Sequence, residues 1–206
     1  MMKALFLKRP FDIALSSVGI LVSSPLWLVI AGLIKLEDHG RVFYKQDRVG
    51  RNGLVFKVIK FRSMIRDAEK GRGAVQATAR DPRVTRVGRV LRGTAMDELP
   101  QLLNIFKGDM SFVGPRALRP HEKEVHGDPD TRDIEDIPGY AARHRVRPGL
   151  TGLTQVFLPG DTPRRKKFRV DALYIRKMSF WFDLKLILLS FWITFRGKWE
   201  SREKKI

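Results

Sequence analysis

The chain has 206 residues, no cysteine, four histidines and a formal net charge of +18, a size that suits one compact domain with an appendage. Disulfides and thiolate metal sites are thereby excluded, and no histidine spacing resembles a zinc site. The charge calls for an anionic partner (nucleic acid, acidic lipid headgroups or a phosphorylated substrate), and the concentration of apolar residues at the two ends favours a membrane surface over nucleic acid.

Phe11 to Ile34 carries one charge, Asp12, and is long enough to span a bilayer, for which about 20 apolar residues suffice. The segment is long for a signal peptide, and no small-x-small site precedes a mature start. Lys3, Lys8 and Arg9 precede it, while Lys35, Arg41, Lys45 and Arg48 follow it. The positive-inside rule assigns both flanks to the cytoplasm. Near its middle, Pro25 removes a backbone donor, and Ser24 is placed to bond a carbonyl that the proline frees. The residues alone fit two readings equally: a helix-break-helix that enters and leaves by one face, or a kinked transmembrane helix.

Val42 to Tyr44 and Leu54 to Ile59 are rich in β-branched and aromatic residues, with Gly50-Arg51-Asn52-Gly53 between them, which predicts a hairpin. Lys57, Lys60 and Arg62 place cations at the end of its second strand; without further context these are a solvated face. Asp67 to Asp81 reads as a helix end followed by an exposed loop. Asp81 to Arg89 then brings basic residues up to a carboxylate pair, Asp97 and Glu98.

Leu99, Leu102, Leu103 and Phe106 recur at helical spacing and predict a core-facing stripe, with Asp97, Gln101 and Asn104 on another face. Pro100 marks the start of this helix and Gly108 its end. Asp97 thus lies close to the N-cap, where the helix dipole favours a carboxylate. An isolated Asp-Glu pair is most often a cap. Here it is followed by a Gly114-Pro115-Arg116 corner in a basic chain, with Arg92 five residues upstream, and that company suits a phosphate ester.

Arg119 to Ala142 predicts irregular structure with one short helix. Arg143, Arg145 and Arg147 alternate before a Pro-Gly turn, which predicts three cations on one side of an extended segment; Gln155 follows in a short apolar stretch. Pro159 to Lys167 is a loop ending in four cations, each worth about 1 kcal/mol against anionic lipid. Met178 to Phe195 reads as an amphipathic interfacial helix, a core helix being the competing reading.

The run DELPQLLNIFKGDMSFVGPR resembles the signature of the bacterial sugar transferases, the monotopic phosphoglycosyl transferases. The Ser24-Pro25 helix, Lys60-Phe61-Arg62-Ser63-Met64, the run from Arg147 to Gly152 and Asp171-Ala172-Leu173-Tyr174-Ile175 resemble further motifs of that family, in order. The resemblance implies an α+β, predominantly helical fold. A re-entrant membrane helix (residues 1–36) would precede a cytosolic domain (37–206) resting on the inner membrane through an interfacial helix near 178–195.

The resemblance also implies the reaction: transfer of a sugar 1-phosphate from a UDP-sugar to undecaprenyl phosphate, with Mg2+ as cofactor. In it Asp97 is the nucleophile and a metal ligand, and Glu98 assists proton movement or positioning. Arg92, Arg116, Lys60 and Arg62 bind substrate phosphate, and Arg143, Arg145, Arg147 and Gln155 are further substrate-binding candidates. Membrane phospholipids and downstream glycosyltransferases are the implied partners. Ala117 departs from the family, where a second proline is usual, and predicts a less rigid turn. A nucleic-acid binder would interleave aromatics with its cations; here the aromatics sit in the apolar ends. A purely structural anchor for glycan-assembly proteins is the other alternative.

Overall fold

A computed structural model describes residues 2–66, 68, 81–122 and 133–196. The loop expected from Asp67 to Asp81 and the middle of the Arg119–Ala142 segment fall largely outside these residues. The fold is α+β and predominantly helical.

Helix α1 (Met2–Asp38) is hydrogen-bonded as one helix with Pro10 and Pro25 inside it. Pro25 leaves the carbonyl of Leu21, four residues earlier, without its backbone donor; Ser24 Oγ donates to that carbonyl at 2.8 Å. The inner side of α1 packs in two places. Phe11, Leu15 and Ile20 lie on the main core, and Ile30 and Ile34 form a second cluster with Phe61 and Leu91. Its outer side leaves Val18, Leu21, Val22, Leu28, Val29 and Leu36 exposed. By length and composition the helix is apolar enough to cross a membrane.

Strands β1 (Phe43–Val49) and β2 (Val55–Phe61) form the expected antiparallel hairpin, with Val49 opposite Val55 and Tyr44 opposite Lys60. Its turn needs Asn52 and Gly53 at positive φ, 57° and 79°, where Asn and Gly are the tolerant residues. Helix α2 (Arg86–Gly93) is capped by Thr85 Oγ1, which accepts from Gly88 N at 2.9 Å. Its first turn is capped again by Glu37 of α1, whose carboxylate accepts from Arg86 N at 2.7 Å and Val87 N at 3.2 Å.

Helix α3 (Gln101–Lys107) ends at Gly108 with φ 97°, as its sequence predicts. Its core face differs from the expected stripe: Leu102 and Ile105 are buried, Phe106 is exposed, and Gln101 and Asn104 are buried as well. The reason is that β2 packs against the polar side of α3, so that side is internal.

Strand β3 (Ser111–Val113) pairs in parallel with β4 (Gly149–Thr151) across a long sequence separation, with Ser111 opposite Gly149 and Val113 opposite Thr151. A Cβ on Gly114 would lie 2.4 Å from Arg147 O, and one on Gly149 would lie 2.0 Å from Gly114 N. The Gly-Pro-Arg corner and the Arg-Pro-Gly turn therefore meet backbone to backbone, which glycine alone permits.

Short helices α4 (Tyr140–Arg143) and α5 (Leu153–Phe157) lead to α6 (Arg164–Lys177) and α7 (Phe180–Phe195). Ser179 Oγ caps α7 by accepting from Phe182 N at 3.2 Å. The helix is apolar on both sides: Leu186, Ile187 and Ile193 enter the core, while Trp181, Leu188, Phe191 and Phe195 are exposed.

Candidate functional site

Ala95 adopts a left-handed backbone (φ 57°) after α2, and a single 3-10 turn, Met96–Glu98, follows. Asp97 and Glu98 are both buried on this turn. They stand one turn ahead of α3, whose N-cap is Pro100 and carries no side-chain cap, so the expected capping geometry gives way to a tighter one. Lys60, at the end of β2, reaches across to them. Its Nζ lies 2.6 Å from Glu98 Oε1 and 3.9 Å from Asp97 Oδ2, and an Arg116 Nη2 lies 3.8 Å from Glu98 Oε1. Burial pushes the Glu98 carboxyl up, but Lys60 and Arg116, with Arg48 behind them, outweigh it and hold its pKa at about 2. Glu98 is thus ionised throughout the neutral range.

The segment carrying Arg116 is held at four successive carbonyls. Pro115 O accepts from Gly149 N at 3.0 Å and Leu118 O from Val49 N at 2.8 Å. Between them, Arg116 O accepts from Arg143 Nη2 at 2.7 Å and Ala117 O from Arg48 Nη1 at 3.0 Å. The loose turn expected from Ala117 is therefore not found, because two guanidiniums and two backbone donors hold the turn. Burial, then Arg116 and Arg119, lowers the Arg48 pKa to about 10. Arg143 is itself buried, with Nε on Asp171 Oδ2 at 3.0 Å and its guanidinium 4.8 Å above the Phe168 ring. On α6, burial together with Arg164 and Arg116 brings Lys167 down to about 8.

The structure thus gathers Asp97, Glu98, Lys60 and Arg116, with Arg143 behind Arg116. Gln155 is buried, its Oε1 accepting from Thr154 Oγ1 at 2.8 Å. Arg92 lies in the last turn of α2, which packs on the 3-10 turn. Arg62 instead pairs with Asp38 at the end of α1. Arg147 Nε donates to Gly108 O at 2.7 Å, while Arg9 donates to Ile105 O at 2.6 Å and Phe106 O at 2.7 Å. These two arginines cap the C-terminus of α3. Arg145 is exposed. The expected row of three cations does not form, because α4 ends at Arg143 and the chain turns before Arg147. Sequence reasoning counted Arg48 only as a flanking charge; with Lys45, Gln46 and Asp47 beside it in β1, no local pattern singles it out.

Among the described residues no group of three or more His, Asp or Glu side chains converges as a metal cage. The donor set is nevertheless of the kind that suits Mg2+, which takes one or two carboxylates and completes its shell with water and substrate phosphates. Asp97 would be the protein ligand, Glu98 being engaged by Lys60 at 2.6 Å.

The lysine and arginine set against this buried carboxylate pair are donors of the kind that bond phosphate as well as carboxylate oxygens. Over residues 3–197 the chain matches the bacterial sugar transferase model. It is 42% identical over 197 residues to UDP-glucose:undecaprenyl-phosphate glucose-1-phosphate transferase of Escherichia coli (strain K12), covering 93% of this chain and 41% of that one. It is also 42% identical over 185 residues to UDP-N-acetylgalactosamine-undecaprenyl-phosphate N-acetylgalactosaminephosphotransferase of Aeromonas hydrophila, covering 88% of this chain and 42% of that one. With the exopolysaccharide production protein PSS of Rhizobium leguminosarum bv. phaseoli it shares 43% identity over 188 residues, covering 89% of this chain and 92% of that one. The chain therefore spans about two fifths of the first two relatives and nearly all of the third. It belongs to the bacterial sugar transferase family.

Proposed function

We propose that this protein transfers a sugar 1-phosphate from a UDP-sugar to undecaprenyl phosphate, releasing UMP and forming a polyprenyl-diphosphate-linked sugar, the first membrane step of glycoconjugate assembly. The observation that carries this reading is the buried Asp97-Glu98 pair with Lys60 and Arg116 upon it, in a family whose relatives are named for this transfer.

In the proposed route an Asp97 carboxylate oxygen attacks the sugar-proximal phosphorus and the bond to UMP breaks. This leaves an aspartyl-phosphosugar. A phosphate oxygen of the lipid then attacks the same phosphorus, and cleavage of the Asp97–phosphorus bond restores the carboxylate. Arg116 and Lys60 neutralise phosphate charge. A carboxyl held near pKa 2 is a weak base at neutral pH, so Glu98 acts by positioning Lys60 and Arg116. Asp97 and the substrate phosphates would hold Mg2+, which would supply charge neutralisation when bound.

The exposed apolar sides of α1 and α7 support an enzyme seated on the cytoplasmic face of the inner membrane, with α1 re-entrant. There a soluble nucleotide sugar and a lipid phosphate meet in one plane.

The test is a burst. Enzyme, UDP-sugar and Mg2+ without lipid acceptor should release UMP up to the amount of enzyme. The sugar phosphate should remain on the protein and chase onto added undecaprenyl phosphate. Asp97→Asn should abolish the labelling, while wild-type transfer by that variant would remove Asp97 as nucleophile. A UDP-sugar panel assigns the sugar, since the relatives are named for both glucose and N-acetylgalactosamine.

A further inference from the structure

Strand β2 has a strand partner on one edge, β1, and helix α3 on the other side. There Asn104, 1% exposed, takes the place of a neighbouring strand residue. Its Oδ1 accepts from Ile59 N at 3.0 Å, and its Nδ2 donates to Lys57 O at 2.9 Å and to Asp109 Oδ2 at 3.1 Å. The backbone beneath it is equally fixed: Asn104 O accepts from the N–H groups of Gly108, Asp109 and Met110 at 3.0, 3.0 and 3.3 Å.

The residue after Ile59 is Lys60, whose ammonium meets Glu98 at 2.6 Å. Lys60 belongs to β2 and Glu98 to the turn leading into α3, so the distance between them depends on how strand and helix are registered. Apolar packing sets no register by itself, being non-directional. A donor and an acceptor on one rigid amide, matched to a carbonyl and an N–H two residues apart, do set one.

We propose that Asn104 is a positioning residue whose amide registers β2 against α3 and thereby places the Lys60 ammonium on Glu98. The inference rests on the reading of the carboxylate pair as the reacting centre. Aspartate in its place would keep the acceptor for Ile59, lose the donor to Lys57, and face the Asp109 carboxylate.

The test compares Asn104→Ala, Lys60→Ala and the double variant with wild type, alongside Ile105→Val as a core change on the same helix. In Asn104→Ala, amide exchange at Ile59 should accelerate, and reductive methylation of Lys60, read by mass spectrometry, should rise several-fold. UMP release should slow about tenfold in kcat, with KM for the UDP-sugar within about twofold. In the Lys60→Ala background the Asn104 change should cost less than about twofold further, because effects acting through one contact do not add. Ile105→Val should lower Tm and leave Lys60 labelling unchanged.

If Asn104→Ala fails to fold, Asn104→Asp paired with Asp109→Asn serves instead. That swap removes the clash of two carboxylates but, like Asn104→Asp, leaves Lys57 O without its donor, so Lys60 labelling should stay raised and UMP release should stay below wild type. Lys60 labelling unchanged in a folded Asn104 variant, or fully additive losses in the double variant, would overturn the proposal. Wild type inactive towards every UDP-sugar, with Lys60 labelling still raised by Asn104→Ala, would sink the proposed reaction and leave the positioning role standing.

Discussion

At the scale of single residues, two adjacent carboxylates have different company. Lys60 Nζ is 2.6 Å from Glu98 and 3.9 Å from Asp97, and Arg116 is 3.8 Å from Glu98. Glu98 is therefore the nearer counter-ion of Lys60 and Arg116. Because its pKa falls from 4.5 to about 2 on folding, the ionised form of Glu98 stabilises the fold. That contribution is complete above pH 4.5 and is lost as the pH falls towards 2; it is at most about 3 kcal/mol. The Tm gap between wild type and Glu98→Gln should accordingly shrink from about pH 6 to about pH 3. A gap constant over that range would mean that Glu98 is not the group held ionised. Arg116 makes a separate prediction. Lysine keeps its charge but loses the planar fork, so Arg116→Lys should cost about 1.5–3 kcal/mol, or one to two orders of magnitude in kcat/KM. Near-wild-type kinetics would reassign Arg116 to the turn alone.

At the scale of elements, the turn after β3 is held by side chains from β1 and α4, those of Arg48 and Arg143. Arg143 joins Asp171 at 3.0 Å and donates to Arg116 O at 2.7 Å. Removing one partner of a buried ion pair strands the other charge, so Asp171→Ala should cost about 3–5 kcal/mol. Arg143→Met with Asp171→Leu should return most of that stability, since no unpaired charge is left buried. It should not return activity, because Arg116 O has still lost its donor. Tm and burst rate measured on the same variants separate the two effects, and recovery of both would show that Arg143 merely fills space.

The same elements show what a linear reading reaches. The hairpin was legible because β-branched and aromatic richness and the Gly50-Arg51-Asn52-Gly53 turn are local signals. Asp97, Glu98, Lys60 and Arg116 were legible as motif residues. The β3–β4 pair was not, because each strand is three residues long and the pairing is set by distant glycines. Asn104, Arg48 and Asp171 were named as a helix-face residue, a flanking charge and a motif residue but given no role, because two of them bind backbone and the third steadies a buried guanidinium. Arg62 and Arg147 were read as substrate-binding residues; the contacts they make, to the Asp38 carboxylate at the end of α1 and to Gly108 O just after α3, are set by the fold and carry no local signal.

At the scale of the whole molecule, α1 is tied to one body at both ends. Near its start, Lys8 Nζ donates to Val113 O at 2.9 Å and pairs with Asp183, and Asp12 Oδ1 accepts from Phe112 N at 3.1 Å. Near its end, Glu37 caps α2 and Asp38 pairs with Arg62. A straight helix of 37 residues is about 55 Å long, against a hydrocarbon core of about 30 Å. A helix that crossed the bilayer could not leave both of these ends on a body lying on one side. Both ends of α1 are therefore expected on one side of the membrane, the cytoplasmic one under the proposed function, and the absence of cysteine from the sequence makes the test clean. Single cysteines at Lys3 and at Arg41 should both resist a membrane-impermeant thiol reagent in intact cells, and both should react after permeabilisation. Labelling at Lys3 alone in intact cells would establish a true span. Ser24 and Pro25 give the same question a second handle. Ser24→Ala leaves Leu21 O without the 2.8 Å hydroxyl contact, a loss that water cannot make good in lipid. Adding Pro25→Ala supplies a backbone N–H to that carbonyl and permits a straighter helix. The single variant should therefore lower Tm in detergent, and the double should recover it while shifting Lys3 towards labelling. A double variant that recovers Tm but keeps Lys3 protected would show that the ties at Lys8, Asp12, Glu37 and Asp38, and not the proline, hold α1 on one side.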